Sequence, residues 1–246
     1  MKLIVLGTAG YHPNEDRHTT CVMVPESGLI FDAGTSMFRT PNYLSTDSVD
    51  IFLSHAHLDH VVGLTYLLDI LYQHPLEEVR VHGEQLKLRA VHEHLFSTEL
   101  FPVEPPFVSI PLSAPVTLQD GGVVSWTPLH HPGGSVGFRV DWSDRSLAYI
   151  TDTTAHRDAD YVEFIRNVNL LVHECNFADG DEVLAEKTGH SCITPVAEVA
   201  RKANVGKLLL LHFNPLNTEP SPVDIDPVRG IFPFVQLARD ELHVDF

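Results

Sequence analysis

Apolar residues recur along this chain in short runs, each closed by Gly, Pro, Asp or His, which is the pattern of buried strands joined by turns. Leu3 to Leu6, Cys21 to Val24 and Gly28 to Phe31 give three strands within residues 1 to 35, and Val49-Asp50-Ile51-Phe52-Leu53 gives a fourth. Val79 to His82 and stretches near 107–111, 115–119 and 122–128 follow. Val136 to Val140 and Ser146 to Ile150 read as a hairpin through Asp141-Trp142-Ser143-Asp144, and Leu170 to His173, Lys207 to Leu211 and Leu242 to Phe246 complete the set. Helical spacing appears from Val61 to Tyr72, Glu84 to about Phe96 and Ile193 to Ala203, with an amphipathic segment near 233–240. The proline-rich stretch Phe101 to Pro106 reads as a stiff crossover or rim loop, since strands resume directly after it. No internal repeat or low-complexity tract is present, and the pattern divides into two strand-rich halves, 1 to about 130 and 131 to 246.

The chemistry concentrates where the fourth strand ends, in Ser54-His55-Ala56-His57-Leu58-Asp59-His60. Imidazole nitrogens suit zinc, iron or nickel, and a carboxylate adds a hard oxygen and negative charge. His55 and His57 fall on one side of an extended turn, while Asp59 and His60 open the next turn and can face a second ion. The spacing therefore points to two neighbouring metals. His-x-His pairs alone carry little weight in a chain with 16 histidines, and His92 with His94 reads as a solvated helical face.

Bulk properties narrow the partners. With 246 residues the chain can bury a large core, and 43% apolar with 20% charged residues is ordinary globular composition. The formal net charge is −17, from 16 Lys and Arg against 33 Asp and Glu. Phosphate backbones are bound mainly by Lys and Arg, so an extended nucleic-acid surface is not expected. Cys21, Cys175 and Cys192 form no CxxC pair, which argues against a disulfide framework or a zinc ribbon. The apolar N-terminus is too short for a signal segment and no stretch has the length of a membrane span. A soluble cytoplasmic enzyme is the expectation.

His55-x-His57-x-Asp59-His60 after a hydrophobic strand resembles the signature of the metallo-β-lactamase superfamily, and further motifs follow in that family's order. Asp32 in Phe31-Asp32-Ala33-Gly34-Thr35 matches the aspartate that supports the signature. His131 before Pro132-Gly133-Gly134 matches the third histidine ligand, in preference to His130, which the resemblance leaves as a supporting or strand residue. Asp152 in Tyr149-Ile150-Thr151-Asp152-Thr153 matches the bridging aspartate, and His212 in Leu211-His212-Phe213 the last ligand. The resemblance implies a four-layer αβ/βα sandwich, an α/β fold forming one domain over 1–246, with two divalent ions at the strand ends. These would be zinc, with manganese or iron left open by ligand type. His55, His57 and His131 would hold one ion, Asp59, His60 and His212 the other, with Asp152 between. Two ions so placed bring the pKa of a shared water from about 15.7 towards 7. Tyr11 and His12 lie on a loop that the family places near the metals, and either a substrate-facing loop or a surface turn fits them.

Two downstream motifs resemble the ribonuclease Z branch. His173-Glu174-Cys175-Asn176 and Gly189-His190-Ser191 match the motifs whose glutamate and histidine handle protons at the scissile phosphate, so Glu174 and His190 are the implied acid/base pair, and the metal ligand Asp59 counts with them as catalytic. A buried salt link or loop clamp is the alternative for that pair, and His173 is left structural. The chain also departs from the branch. Ribonuclease Z carries a long tRNA-gripping arm between the third histidine and the bridging aspartate, whereas only the hairpin from Pro132 to Thr151 fits here. Phe213-Asn214-Pro215 stands where Arg-Tyr is usual, and Arg17-His18 where Arg-Asn is. The resulting expectation is a phosphodiesterase for a small phosphodiester, in analogy to the compact phosphodiesterases of the carbon-phosphorus lyase pathway. A ribonuclease Z-like enzyme, an ester, lactone or thioester hydrolase, and a cofactor-handling protein of this fold are the alternatives. No membrane partner is expected, and homodimer formation is left open.

Overall fold

A computed structural model describes residues 1–246. Six strands, β1 (Lys2–Gly7), β2 (Cys21–Val24), β3 (Leu29–Phe31), β4 (Ser48–Phe52), β5 (Glu78–Gly83) and β6 (Val108–Pro111), lie in one sheet. The next seven, β7 (Val116–Thr117), β8 (Val123–Leu129), β9 (Ser135–Asp141), β10 (Ser146–Ile150), β11 (Leu170–Glu174), β12 (Lys207–Leu211) and β13 (Val235–Leu237), form a second. The last strand, β14 (Leu242–Asp245), returns to pair antiparallel with β1 and makes the first sheet seven-stranded as well. The two sheets pair in the same sequence. From one edge, β14-β1-β2-β3 and β7-β8-β9-β10 run antiparallel, and β3-β4-β5-β6 and β10-β11-β12-β13 run parallel.

The strands are apolar on both faces, as parallel strands covered on each side must be. Leu3 and Val5 of β1 pack between the sheets while Ile4 and Leu6 face a helical layer. In β12, Leu209 and Leu211 face the other sheet and Leu208 and Leu210 the outer helices. Between the sheets, Phe31 stacks on Tyr149 at 5.0 Å and lies 5.6 Å from Phe138. The short helices α1 (Leu58–Val61), α2 (Leu67–Gln73) and α3 (Gln85–Ala90) cover the first sheet through Val61, Leu67, Ile70 and Leu88. The second is covered by α4 (Tyr161–Phe164) and α6 (Ile193–Lys202), with α5 (Glu182–Thr188) near the strand ends. This is the four-layer sandwich that the motifs imply.

Several boundaries differ from the sequence reading. The two sheets divide between β6 and β7, not near residue 130, and β14 crosses back, because hairpin pairing joins β7 to β8 and β8 to β9. Val61 to Tyr72 is not one helix: Val61, Val62 and Gly63 are weak helix formers, and a 3-10 turn over Val62–Tyr66 separates α1 from α2. The segment from Glu84 ends as a π turn over Val91–Leu95. The amphipathic stretch near 233–240 contains β13, whose three residues pair in parallel with β12. A 3-10 segment at Thr35–Asn42, with Pro41 inside it, had no periodic signal.

A buried ion network ties β4 to β5 beneath the ligand loop. Asp50 accepts hydrogen bonds from Arg80 Nε and Nη2 at 2.7 and 2.6 Å and from His82 Nε2 at 2.7 Å, while His82 stacks on Phe52 at 4.3 Å. Burial pushes the Asp50 carboxyl up, but the hydrogen bonds and charges of Arg80 and His82 outweigh it and hold the group below its ordinary value. A depressed folded pKa gives stability that is present above the unfolded pKa, about 3.9, and lost as pH falls through the folded pKa. Asp50→Asn is therefore expected to lower the urea midpoint at pH 7 and to lessen the wild type's loss of stability below about pH 4; parallel acid limbs for the two proteins would contradict this.

Candidate metal centre

Every motif residue but His190, which lies in the loop between α5 and α6, stands at the carboxyl end of a strand, where ligands bind in open α/β sheets. Asp32 follows β3, the segment Ser54 to His60 follows β4, His131 follows β8, Asp152 follows β10, Glu174 ends β11 and His212 follows β12. Three of them, Asp32, Asp152 and His212, have φ of 56°, 48° and 57°, and Tyr11, on the loop after β1, has 61°. Non-glycine residues in that left-handed region are strained and collect at functional sites. Four of the seven in this chain lie here, a signal that periodicity and motif spacing do not contain.

His55, His57, His131 and Asp152 bring ligand atoms within 4.8 Å of one another, and so do Asp59, His60 and His212. Asp152 joins the groups with its two oxygens. Its Oδ2 lies 3.5 Å from His55 Nε2 and from His131 Nε2, and its Oδ1 lies 3.2 Å from His60 Nε2 and from His212 Nε2. Asp59 Oδ2 sits 3.3 Å from His60 Nε2 and 3.5 Å from His212 Nε2. His130 is exposed and lines a separate cavity with Pro128, Thr154 and Asp158.

The donor set fits divalent metal. His55 Nε2 is buried with no hydrogen-bond partner, and His60 Nε2 and His212 Nε2 point at each other over 3.2 Å, an arrangement suited to lone pairs shared with a cation. Outer partners fix the tautomers, as they do around metal-ligating histidines. His60 Nδ1 donates to Asp32 Oδ2 at 2.8 Å, His131 Nδ1 to the Gly189 carbonyl at 2.9 Å and His55 Nδ1 to the Ser54 hydroxyl at 3.0 Å. Each leaves Nε2 bare towards the cluster. The chain passes close behind His212 because residue 10 is glycine: a Cβ there would stand 2.5 Å from His212 Cε1.

Glu174 and His190 adjoin the same centre. The fully buried Glu174 carboxylate accepts the backbone N–H groups of Thr153, Asn176 and Ser191 at 2.9 to 3.2 Å, and the Nδ1–H of His190 at 3.0 Å. Burial would lower the His190 pKa, yet the Glu174 charge and hydrogen bond, with help from Asp152, push it up to about 9. The contact with Glu174 favours the protonated ring. It stacks on His212 at 5.3 Å and, with Asp152 and His212, forms a third grouping of ligand atoms. A cleft of about 140 Å³ is lined by Tyr11, His57, Asp59, His131, Pro132, Asp152, Thr188, His190 and His212. Tyr11 reaches it with its backbone N–H donating to Asp59 Oδ2 at 2.7 Å, whereas His12 Nδ1 bonds the Pro13 carbonyl. His173 is buried between the Tyr161 hydroxyl and the Glu174 carbonyl, outside the cleft, and His92 bonds Ser109 on the surface.

Asp32 is the residue beneath all of this. It accepts the Ser54 N–H at 2.7 Å, the Ser54 hydroxyl at 2.8 Å, His60 Nδ1–H and the Tyr149 hydroxyl at 2.7 Å. Asp32→Asn presents an amide N–H where His60 requires an acceptor. Zinc affinity, measured by chelator competition, is expected to fall about 10- to 100-fold with far-UV circular dichroism unchanged; an unaltered affinity would remove Asp32 from the role of orienting His60.

Comparison with known proteins agrees with this arrangement. A family model described as the beta-lactamase superfamily domain matches residues 28–213. A ribonuclease Z from a Synechococcus strain is 34% identical over 151 residues, 58% of this chain and 43% of that protein, so the chain spans less than half the length of that relative. The crystal structure of human tRNase Z, short form, superposes with a TM-score of 0.77 at 22% identity, covering 100% of this chain and 99% of that one. A diphosphatase from the PhnP family superposes with a TM-score of 0.72 at 19% identity, covering 100% and 97%. At those identities the two structures speak for the fold. No helix is long and apolar enough to cross a membrane. The chain belongs to the beta-lactamase superfamily, as a ribonuclease Z-like member with the metallo-β-lactamase fold.

Proposed function

We propose that this chain, acting as one domain over 1–246, is a dinuclear metal-dependent hydrolase that cleaves a small phosphodiester to a phosphomonoester and an alcohol. The observation that carries the reading is Asp152, whose two carboxylate oxygens face two separate ligand clusters while His190, fixed on Glu174, lines the same cleft. His55, His57 and His131 would hold one ion and Asp59, His60 and His212 the other. Two divalent ions held there, zinc or alternatively manganese or iron, would supply an activated water at neutral pH and charge stabilisation for an in-line displacement at phosphorus. The residues do the rest. Asp59 accepts the Tyr11 N–H through Oδ2 and so holds the cleft's upper rim against the ligand loop. His190 presents its second nitrogen to the cleft and gives its proton to the departing alkoxide oxygen. Glu174 keeps the Nδ1 proton in place, so the ring loses the proton facing the substrate and no other. Such general acid catalysis contributes roughly a hundred- to ten-thousandfold.

Two features support a small substrate. The cleft of about 140 Å³ suits a phosphoryl group and the start of its arms. Between His131 and Asp152 the chain forms only β9 and β10, paired directly from Ser146 and Asp141 inward, with no projecting element. The 34% identity to a ribonuclease Z favours a second reading, an endoribonuclease of that type. Turnover of bis(p-nitrophenyl) phosphate and of a precursor tRNA by metal-loaded protein separates the two. The small diester is expected to be cleaved and the tRNA to be left intact. His190→Ala is expected to lose a hundredfold or more in kcat on the diester with metal content unchanged. Nearly full activity of that variant would remove the acid and turn attention to ester, lactone or thioester substrates; cleavage of the tRNA at its 3′ side would establish the second reading.

A further inference from the structure

One cation stands beside the turn that borders the cleft, in a strongly acidic chain. Lys87, on α3, is half-buried and its Nζ donates a hydrogen bond to the carbonyl of Gly133, in the Pro132-Gly133-Gly134 turn that follows His131. His57 approaches the same turn. Its Nδ1 faces the metal cluster, 3.3 Å from His131 Nε2, and this leaves Nε2 directed outward. The tautomer that offers Nδ1 to a metal carries its proton on Nε2, so the outward nitrogen is a donor. Both donors border the open space beside the Gly133 Cα, because residue 133 has no side chain. A Cβ built on Gly133 would stand 3.9 Å from His57 Nε2 and 3.9 Å from Lys87 Nζ, with no nearer heavy atom. Its φ of +80° also reserves the position for glycine. An ammonium has three donors, and one carbonyl occupies a single one of them.

We propose that Lys87 Nζ and the Nε2–H of His57, which both border the open space beside Gly133, form an anion subsite that receives a second oxyanion, phosphate or carboxylate, carried on one arm of the phosphodiester. The inference rests on the phosphodiester reading and narrows it to substrates that carry a second anionic group. Geometry sets the arm's length. The subsite and the metal cluster lie on opposite nitrogens of one imidazole ring, so the linker between the two anions is short. Charge explains why the chain needs such a device: with 33 acidic residues against 16 basic ones, a negatively charged substrate meets a repulsive field, and a tethered ammonium at the entrance offsets it locally.

Binding tests the subsite without depending on turnover. Isothermal titration calorimetry of metal-loaded protein would compare ethyl phosphate, 2-phosphoglycolate and ethanediol bisphosphate, which carry one phosphate, a phosphate with a carboxylate, and two phosphates. At least one of the ligands with two anionic groups is expected to bind about tenfold or more tightly than ethyl phosphate, the scale of one charge-assisted hydrogen bond, and their order tells carboxylate from phosphate. In Lys87→Gln the advantage is expected to vanish while ethyl phosphate binds as before, which also shows that the variant is folded. No advantage in the wild type, or an advantage that survives in Lys87→Gln, overturns the subsite. Bis(p-nitrophenyl) phosphate turnover in the same preparations reports separately on the hydrolytic reading, so each claim can fail alone.

Discussion

A buried carboxylate with no neighbouring Lys or Arg is the constraint on which this structure turns. Asp32 is fully buried at the end of β3, and a carboxylate taken out of water is costly unless its oxygens are satisfied. The donors that satisfy it come from three places: the first residue of the ligand loop, the ring of His60 and the hydroxyl of Tyr149 on β10. The first two lie on one sheet and the third on the other. Satisfying Asp32 therefore sets the spacing of the sheets at the ligand end and the orientation of His60 together. The stacked rings of Phe31 and Tyr149 extend the same junction into the core.

The site above is an arrangement of opposed charges and lone pairs. Asp152 stands between the two histidine clusters, and the Asp59, Asp152 and Asp32 charges together push the proton affinity of His60 well up against the effect of burial. Burial and the neighbouring His60 hold His55 well below its ordinary value despite Asp152. Two rings of one loop thus differ in proton affinity, and the shared carboxylate faces both. Such a set is stabilised when cations take the place of the protons, consistent with the left-handed backbone at Asp32, Asp152 and His212: strain of this kind persists where surrounding contacts over-determine it.

Much of the fold and the candidate site was legible in the chain. Strands buried on both faces appear as unbroken apolar runs, so β1, β4, β10, β11 and β12 could be placed before any coordinates, and polar residues directly after such runs marked the strand ends where Asp32, His55, Asp152 and His212 stand. The order of motifs supplied the rest of the ligand set by resemblance, and the structure brings those seven residues together with Glu174 and His190. Less legible were features set by tertiary contact. The return of β14 to β1 depends on long-range pairing, and the breaks after α1 and α3 depend on packing against the sheet. Lys87 had no motif to announce it; its position follows from how α3 docks beside the Pro132-Gly133-Gly134 turn. The choice between His130 and His131 needed the side chains themselves, because adjacent residues of a strand end point to opposite faces.

The central claim is that two ions, shared through Asp152, make this cleft a hydrolytic centre. Its most direct test is a zinc titration of chelator-treated protein, following bound metal and bis(p-nitrophenyl) phosphate turnover together. The account predicts negligible turnover without metal and activity that rises to a plateau at two equivalents per chain. A plateau at one equivalent, or turnover that persists in the metal-free protein, would contradict it.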